Sequence, residues 1–170
     1  MDLGLKDKNA IITGGSQGVG FAIAQGLARE GCNIAIGARG KEKLEESANK
    51  LKEMSVNVAP IISDFSASTG CNNFVQKAAE ALGSIDIVIN NVGGATPGTI
   101  ETISDELWEE VINRNLMSYI WTSRAAVPYL RESDSGRVLS VSGLSGTQLF
   151  PGTWASTLPN AGIHGMTKLL

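Results

Sequence analysis

Thr13-Gly14-Gly15-Ser16-Gln17-Gly18-Val19-Gly20 comes directly after a short apolar run, Ala10 to Thr13, and opens an amphipathic stretch that starts near Val19. A glycine-rich turn between a strand and a helix is the setting in which a dinucleotide phosphate is bound. One glycine takes positive φ in the tight turn, a second lets the backbone approach a pyrophosphate, and a third lets the helix pack closely on the strand. The helix start offers unpaired N–H donors and a partial positive charge to the anion. Taken alone, such a turn also fits a plain strand-to-helix connection, so its meaning depends on the rest of the chain.

Beyond the loop, apolar runs alternate with amphipathic stretches. Further strands are predicted at Asn33 to Ala38, Val56 to Ile62, Ile85 to Asn90 and Arg137 to Ser142, each rich in Ile and Val. The first helix, Val19 to Glu30, turns Ile23, Leu27 and alanines toward the sheet and ends at Gly31. The second comes after Gly40 and presents Leu44, Ala48 and Leu51 inward, with Lys41, Glu42, Glu45, Glu46 and Lys50 on the wet side. A third spans about Ser68 to Leu82 and closes at Gly83. The longest runs from Ser104 to Glu132, with Asp105 and Glu106 in an acidic first turn. Repeated βαβ units predict an α/β fold, a doubly wound parallel sheet of the Rossmann type, as one domain over residues 1–170.

Composition narrows the partners. With 42% hydrophobic and 18% charged residues and a net charge of −3, the chain reads as a soluble globular protein. Its pI of about 5.2 and lack of a basic stripe speak against nucleic acid. The N-terminus, Met1 to Lys6, lacks a signal-peptide pattern, and no apolar run is long enough to span a membrane, so a cytoplasmic setting is expected. Cys32 and Cys71 stand apart from any zinc-ligand or C-x-x-C spacing and read as reduced packing residues, with no metal site indicated.

The glycine spacing T-G-x-x-x-G-x-G resembles that of the short-chain dehydrogenase/reductase family, and further matches occur in family order. Asp64-Phe65 after the third strand resembles the family's adenine-contacting pair, and Asn90-Asn91-Val92-Gly93 resembles its N-N-A-G turn. Asn115, within Asn113-Arg114-Asn115-Leu116, falls where the family keeps a catalytic asparagine that kinks the helix and holds a water. The resemblance runs from about residue 5 to the last residue. It implies cofactor contacts from Gly14, Ser16, Gln17, Gly18, Val19 and Gly20, then from Asp64, Phe65, Asn91, Val92 and Gly93, and finally from Lys168. Residue by residue, Asp64 also fits a turn cap and Asn90-Asn91 an Asx turn.

The end of the second strand chooses between nicotinamide cofactors, because an acid there would bind the ribose 2′-hydroxyl of NAD. The segment reads Ile36-Gly37-Ala38-Arg39-Gly40-Lys41. A guanidinium at Arg39, joined by an ammonium at Lys41, suits the 2′-phosphate of NADP. Gln17 stands where NADP-preferring relatives often carry a base, which leaves NAD open as the alternative.

For hydride transfer to a carbonyl the family uses Ser, Tyr, Lys and Asn, with Tyr and Lys as Y-x-x-x-K on one helix. The matching segment is His164-Gly165-Met166-Thr167-Lys168, with His where the family has Tyr. The family's S-S-x-x-G is Ser142-Gly143-Leu144-Ser145-Gly146, so its serine aligns with Gly143; Ser142 remains a candidate, although strand alternation turns it to the opposite face. Ser142 to His164 spans 22 positions, several more than the family leaves, with Gln148 to Pro159 read as an enlarged loop. His164 can donate or accept a proton near neutrality, or serve as a helix-surface residue.

The resemblance implies a reductase or dehydrogenase that exchanges hydride between NADP(H) and a small carbonyl or alcohol, assembled as a homo-oligomer through the 104–132 helix and the helix expected after Pro159. The alternatives are a non-catalytic dinucleotide-binding or sensing module, or a truncated chain without catalysis. Family members continue well beyond the lysine, so the fold is expected to be incomplete at its C-terminal end, with Met166, Leu169 and Leu170 forming an apolar patch there.

Overall fold

Strand and helix alternate through the computed structural model, which describes residues 2–170. The order is β1 (Asn9–Thr13), α1 (Gly18–Arg29), β2 (Asn33–Ala38), α2 (Lys41–Lys52), β3 (Val58–Ile62), α3 (Ser68–Leu82) and β4 (Ile87–Asn90). Then come α4 (Asp105–Ile112), α5 (Ser118–Glu132), β5 (Arg137–Ser140) and α6 (Trp154–Leu169). All strand pairs are parallel, and the sheet order is β3-β2-β1-β4-β5. This is a Rossmann-like α/β fold. Among the described residues no helix is long and apolar enough to cross a membrane.

The two faces of the sheet are built by the period-two alternation of its strands. Ala10, Ile12, Ile34, Ile36, Ile87 and Ile89 face α1 and α2, where Ala24, Ala28, Leu44 and Leu51 complete one core. Ile11, Ala35 and Val88 point the other way, into a core with Phe74, Val75 and Ala126 of α3 and α5. On α1 the alanines Ala24 and Ala28 are buried while Ile23 and Leu27 pack only partly, because the helix lies close on the strands.

Several elements depart from the sequence reading: β3 and β4 each start two residues late, at Val58 and Ile87. The 104–132 helix is interrupted by a π-helical turn over Asn113–Met117. β5 stops at Ser140, two residues early. α6 starts at Trp154 and carries Pro159 inside it, so the expected long loop is shorter. Proline there forgoes one helical hydrogen bond. Its cost is offset because Ala155, Pro159 and Ile163, at i, i+4 and i+8, form the buried stripe of α6, with Ala155 packed against Ile103 and Val111.

Both cysteines are free and buried, as expected of packing residues. Burial, helped by the carboxylates of Asp86 and Glu30, pushes the Cys32 thiol up from 9.0 to about 11. The folded state therefore keeps its proton where the unfolded chain begins to lose it. The resulting contribution to stability is complete below pH 9 and is lost as pH rises toward 11. The melting temperature is expected to fall across that window, and to fall less steeply in Cys32→Ala; equal slopes would contradict the assignment.

Candidate functional site

The strand order reverses at β1, whose neighbours β2 and β4 lead the chain away in opposite directions. In open α/β sheets the crevice at such a switch point, outside the carboxyl ends of the strands, is where ligands bind. Here that crevice lies between the turn after Thr13 and the turn after Asn90.

The two turns are tied together. The Thr13 hydroxyl accepts the N–H of Asn91 at 2.9 Å and that of Val92 at 3.2 Å. In return, Asn91 Nδ2 donates to the carbonyls of Thr13 and Gly14, each at 3.1 Å. Asn91 is thus a strut of the loop. Gly14 and Gly18 take φ of +66° and +57°, the left-handed region that glycine adopts at little cost. Gly20 meets the need for close packing, since a Cβ there would strike Asn91 Nδ2 and the Gly14 carbonyl. Ser47 of α2 donates to the Ser16 carbonyl at 2.7 Å and braces the loop from behind. No side chain caps α1, whose first N–H groups are left to an anion.

A cleft of about 670 Å³ opens over this loop. Gly14, Ser16, Gln17, Gly18 and Val19 form its floor. Arg39 and Asp64 stand at one end, and Asn91, Val92 and Gly93 at the other. Three separate βα turns therefore deliver the expected residues to one place. Gly20 lies behind the loop, buried. Phe65 borders the cleft but is 3% exposed and packs edge-on against Phe74, with ring centroids 5.2 Å apart, so its ring belongs to the core. The ammonium beside Arg39 belongs to Lys43 rather than to the expected Lys41, whose own amine lies 3.9 Å from Glu45. Lys43 and Lys50 both bind Glu46, holding that exposed carboxyl down at about 2.

Asp64 closes a turn and borders the cleft at the same time. Its Oδ1 accepts the backbone N–H of Ser66 at 3.0 Å and the Ser66 hydroxyl at 2.8 Å, forming an Asx turn. Those bonds, with the nearby Arg39 charge, hold the carboxyl below the usual range, so it remains an acceptor at the cleft wall.

A second cavity of about 350 Å³ shares Asn91, Val92, Gly93 and Val141 with the cleft. Asn115 lines it from the π-helical turn, donating from Nδ2 to the Gly94 carbonyl at 2.9 Å and accepting from Arg114 Nε at 3.1 Å. The π-helical turn interrupts the regular α-helix at this residue. Arg114, which the sequence did not single out, borders the larger cleft and also binds Glu110 and Thr96.

The expected catalytic cluster is only partly assembled. Ser142 lies beyond the end of β5, so strand alternation does not govern it, and its Oγ sits 3.0 Å from His164 Nε2. His164 and Lys168 are exposed, and neither lines either cavity. The early start of α6 explains this. The i, i+4 pair that reaches the cavity is Ser156 and Asn160, eight residues before His164 and Lys168. Counted from Gly143, which also lines the cavity, Ser156 is 13 positions on, and the surplus spacing disappears.

Asn160 was not legible as a site residue because the motif spacing matched at His164 and Lys168, which left it in the first turn of the helix expected after Pro159. Its Oδ1 accepts the Gly143 N–H at 2.7 Å and the Ser142 hydroxyl at 3.1 Å. Its Nδ2 donates to Ser145 Oγ at 3.2 Å and to the Ser156 carbonyl at 2.8 Å. These bonds pin the 142–146 turn to α6.

A parallel sheet with this switch point, an uncapped helix start above a glycine loop, and a basic group after β2 define an α/β protein of the dinucleotide-binding class. The family model described as short chain dehydrogenase matches residues 8–170. The chain belongs to the short-chain dehydrogenase family, a family of oxidoreductases. An uncharacterized oxidoreductase of Staphylococcus aureus strain USA300 is 31% identical over 164 residues, covering 96% of this chain and 70% of the relative. L-Sorbose reductase of Gluconobacter frateurii, solved with NADPH and L-sorbose, superposes with a TM-score of 0.96 at 30% identity, over 99% of this chain and 65% of that one. A short chain dehydrogenase of Burkholderia cenocepacia, solved with NADP, gives 0.92 at 28% identity, over 96% and 67%. The chain thus spans about two thirds of the length of these solved relatives.

Proposed function

We propose that this chain binds NADP(H) across the carboxyl ends of β1 and β4, as the dinucleotide-binding part of an oxidoreductase for a small carbonyl or alcohol. The observation that carries the reading is the convergence of the glycine loop, Arg39 and Asp64 on one cleft. The free N–H groups at the start of α1 bind the pyrophosphate. Arg39, with Lys43 beside it, binds the 2′-phosphate through charge-assisted hydrogen bonds. Asp64 accepts from the adenine amine, and Asn91, Val92 and Gly93 border the path toward the nicotinamide. When bound, the nicotinamide supplies hydride chemistry. Two structural neighbours solved with NADPH or NADP support the choice of cofactor.

A second reading, binding without turnover, is favoured by the position of His164 and Lys168 outside the cavity that adjoins the cleft. Titration of the chain with NADPH and with NADH, followed by nicotinamide fluorescence, tests the first reading. NADPH is expected to bind at least about tenfold more tightly, since one charge-assisted contact is worth roughly 1.5–3 kcal/mol. Equal or tighter binding of NADH would overturn the NADP assignment, and binding of neither would overturn the nucleotide reading.

A further inference from the structure

We infer that Arg114 is a second cationic anchor for the dinucleotide, gripping the part common to NADPH and NADH, and that the Glu110 carboxylate competes with the ligand for it. The inference rests on the NADP(H) reading above and adds to it a residue on the side of the cleft away from Arg39.

Arg114 sits in the π-helical turn Asn113–Met117, next to Asn115. Adjacent in sequence, the two serve different spaces, since Asn115 lines the smaller cavity and Arg114 the larger cleft. Three bonds fix the guanidinium. Nε donates to Asn115 Oδ1 at 3.1 Å, Nη1 to Glu110 Oε1 at 2.8 Å and Nη2 to Thr96 Oγ1 at 3.1 Å. Asn115 in turn donates to the Gly94 carbonyl at 2.9 Å, which places the whole group beside the segment that follows β4.

A guanidinium carries five N–H groups. These bonds use three, so one N–H on Nη1 and one on Nη2 have no partner among the described residues. The Arg114 side chain is 25% exposed and that of Glu110 57%, so the cation is drawn down toward the cleft while the carboxylate stays in solvent. A surface i, i+4 pair needs no such descent. The other charged residues lining the cleft, Arg39, Lys43 and Asp64, belong to α2 and to the turns after β2 and β3. Arg114 therefore brings the one charge on the β4 side, among the described residues. A dinucleotide reaching from Arg39 to Val92 and Gly93 carries its pyrophosphate and riboses across this cleft. An oxygen of that shared core takes the free N–H groups as charge-assisted hydrogen bonds. The 2′-phosphate stays with Arg39.

Glu110 sets the strength of this anchor. Its Oε1 lies 2.8 Å from Nη1, and its charge offsets part of the pull of the guanidinium on a phosphate. Its exposure keeps the pair weak, so a ligand phosphate outweighs it. Removing the carboxylate charge then strengthens dinucleotide binding, whereas removing the guanidinium weakens it. A pair that served only the fold would give both changes the same sign.

Fluorescence titration of the whole chain with NADPH and with NADH tests this. Arg114→Met is expected to weaken both cofactors about tenfold and leave their ratio unchanged, while Arg114→Lys, which keeps the charge, recovers part of the loss. Glu110→Gln is expected to tighten both about threefold, and to change nothing in the Arg114→Met background. Thermal melts verify the fold of each variant, and Glu110→Gln, at an exposed position, carries the test if Arg114→Met does not fold. Unchanged affinity in Arg114→Met, a loss confined to NADPH, or the absence of a gain in Glu110→Gln would overturn this inference. Failure of the parent chain to bind either cofactor would instead overturn the nucleotide reading on which it rests.

Discussion

Arg39→Asp is expected to reverse the cofactor preference, weakening NADPH by about 100-fold while NADH binds as well or better. Removing the guanidinium deletes a charge-assisted contact to the 2′-phosphate, worth roughly 1.5–3 kcal/mol, and the new carboxylate adds repulsion. That carboxylate stands beside Asp64, whose charge already feels Arg39, so two acids would then face one phosphate. Toward NADH the same aspartate accepts from the ribose 2′-hydroxyl. Lys43→Ala is expected to cost NADPH only about threefold, because that ammonium is half exposed and already paired with Glu46 at 2.9 Å. Fluorescence titration of both cofactors at two ionic strengths checks the result. An unchanged NADPH-to-NADH ratio in Arg39→Asp would show that the phosphate sits elsewhere.

Gly20→Ala is expected to be the more damaging change to the fold and to abolish dinucleotide binding as well. The added methyl runs into Asn91 Nδ2 and the Gly14 carbonyl. Neither can step aside, since one is backbone and the other is held by two hydrogen bonds of 3.1 Å. α1 must move off the sheet, carrying its N–H donors out of register with the pyrophosphate. Overpacking of this kind costs about 3 kcal/mol. In a domain of this size that lowers the melting temperature by roughly 10 °C. Gly18→Ala provides the contrast. Its φ of +57° disfavours alanine, but no atom lies within 4 Å of the new methyl. The strain alone is worth about 1 kcal/mol. Thermal melts of the two variants in parallel decide the matter, and a Gly20→Ala protein that melts with the parent would refute the close packing of helix on strand.

The legible part of this molecule is the part with local causes. Alternating Ile and Val runs predicted all five strands, and Asn33–Ala38 coincides with β2. Helix α3 closes at Gly83, with φ of +86°, where the sequence places its end. The loop was readable because positive φ and an approaching helix both demand glycine, and few other residues satisfy either demand. Arg39 was readable because the end of β2 lies at a known distance, in elements, from that loop. The family resemblance resolved the remaining ambiguity at Asp64 and Asn91, each of which has an equally good local explanation.

Local pattern misleads where distant segments decide. Phe65 sits next to an acidic wall residue in sequence, yet its ring turns inward because Phe74, on α3, offers it an edge-on partner. Lys43 rather than Lys41 reaches the cleft because α2 rotates Leu44, Ala48 and Leu51 into the core, and that rotation chooses which lysine flanks Arg39. The motif spacing on α6 pointed to His164 and Lys168, since Pro159 looked like the residue before which a helix cannot run. Packing of the Ala155, Pro159 and Ile163 stripe started the helix at Trp154 instead, and brought Ser156 and Asn160 to the cavity.

By itself, then, the sequence determined the dinucleotide loop from Thr13 to Gly20, its parallel sheet and the charge at the end of β2, because backbone sterics and strand periodicity act between neighbours in the chain. Only the tertiary structure decided which residues line the cavity beyond the loop. The register of α6 is set by side chains of α4 and the segment before it, Val111 and Ile103, more than forty residues earlier in the chain, and no local pattern around His164 carries that information.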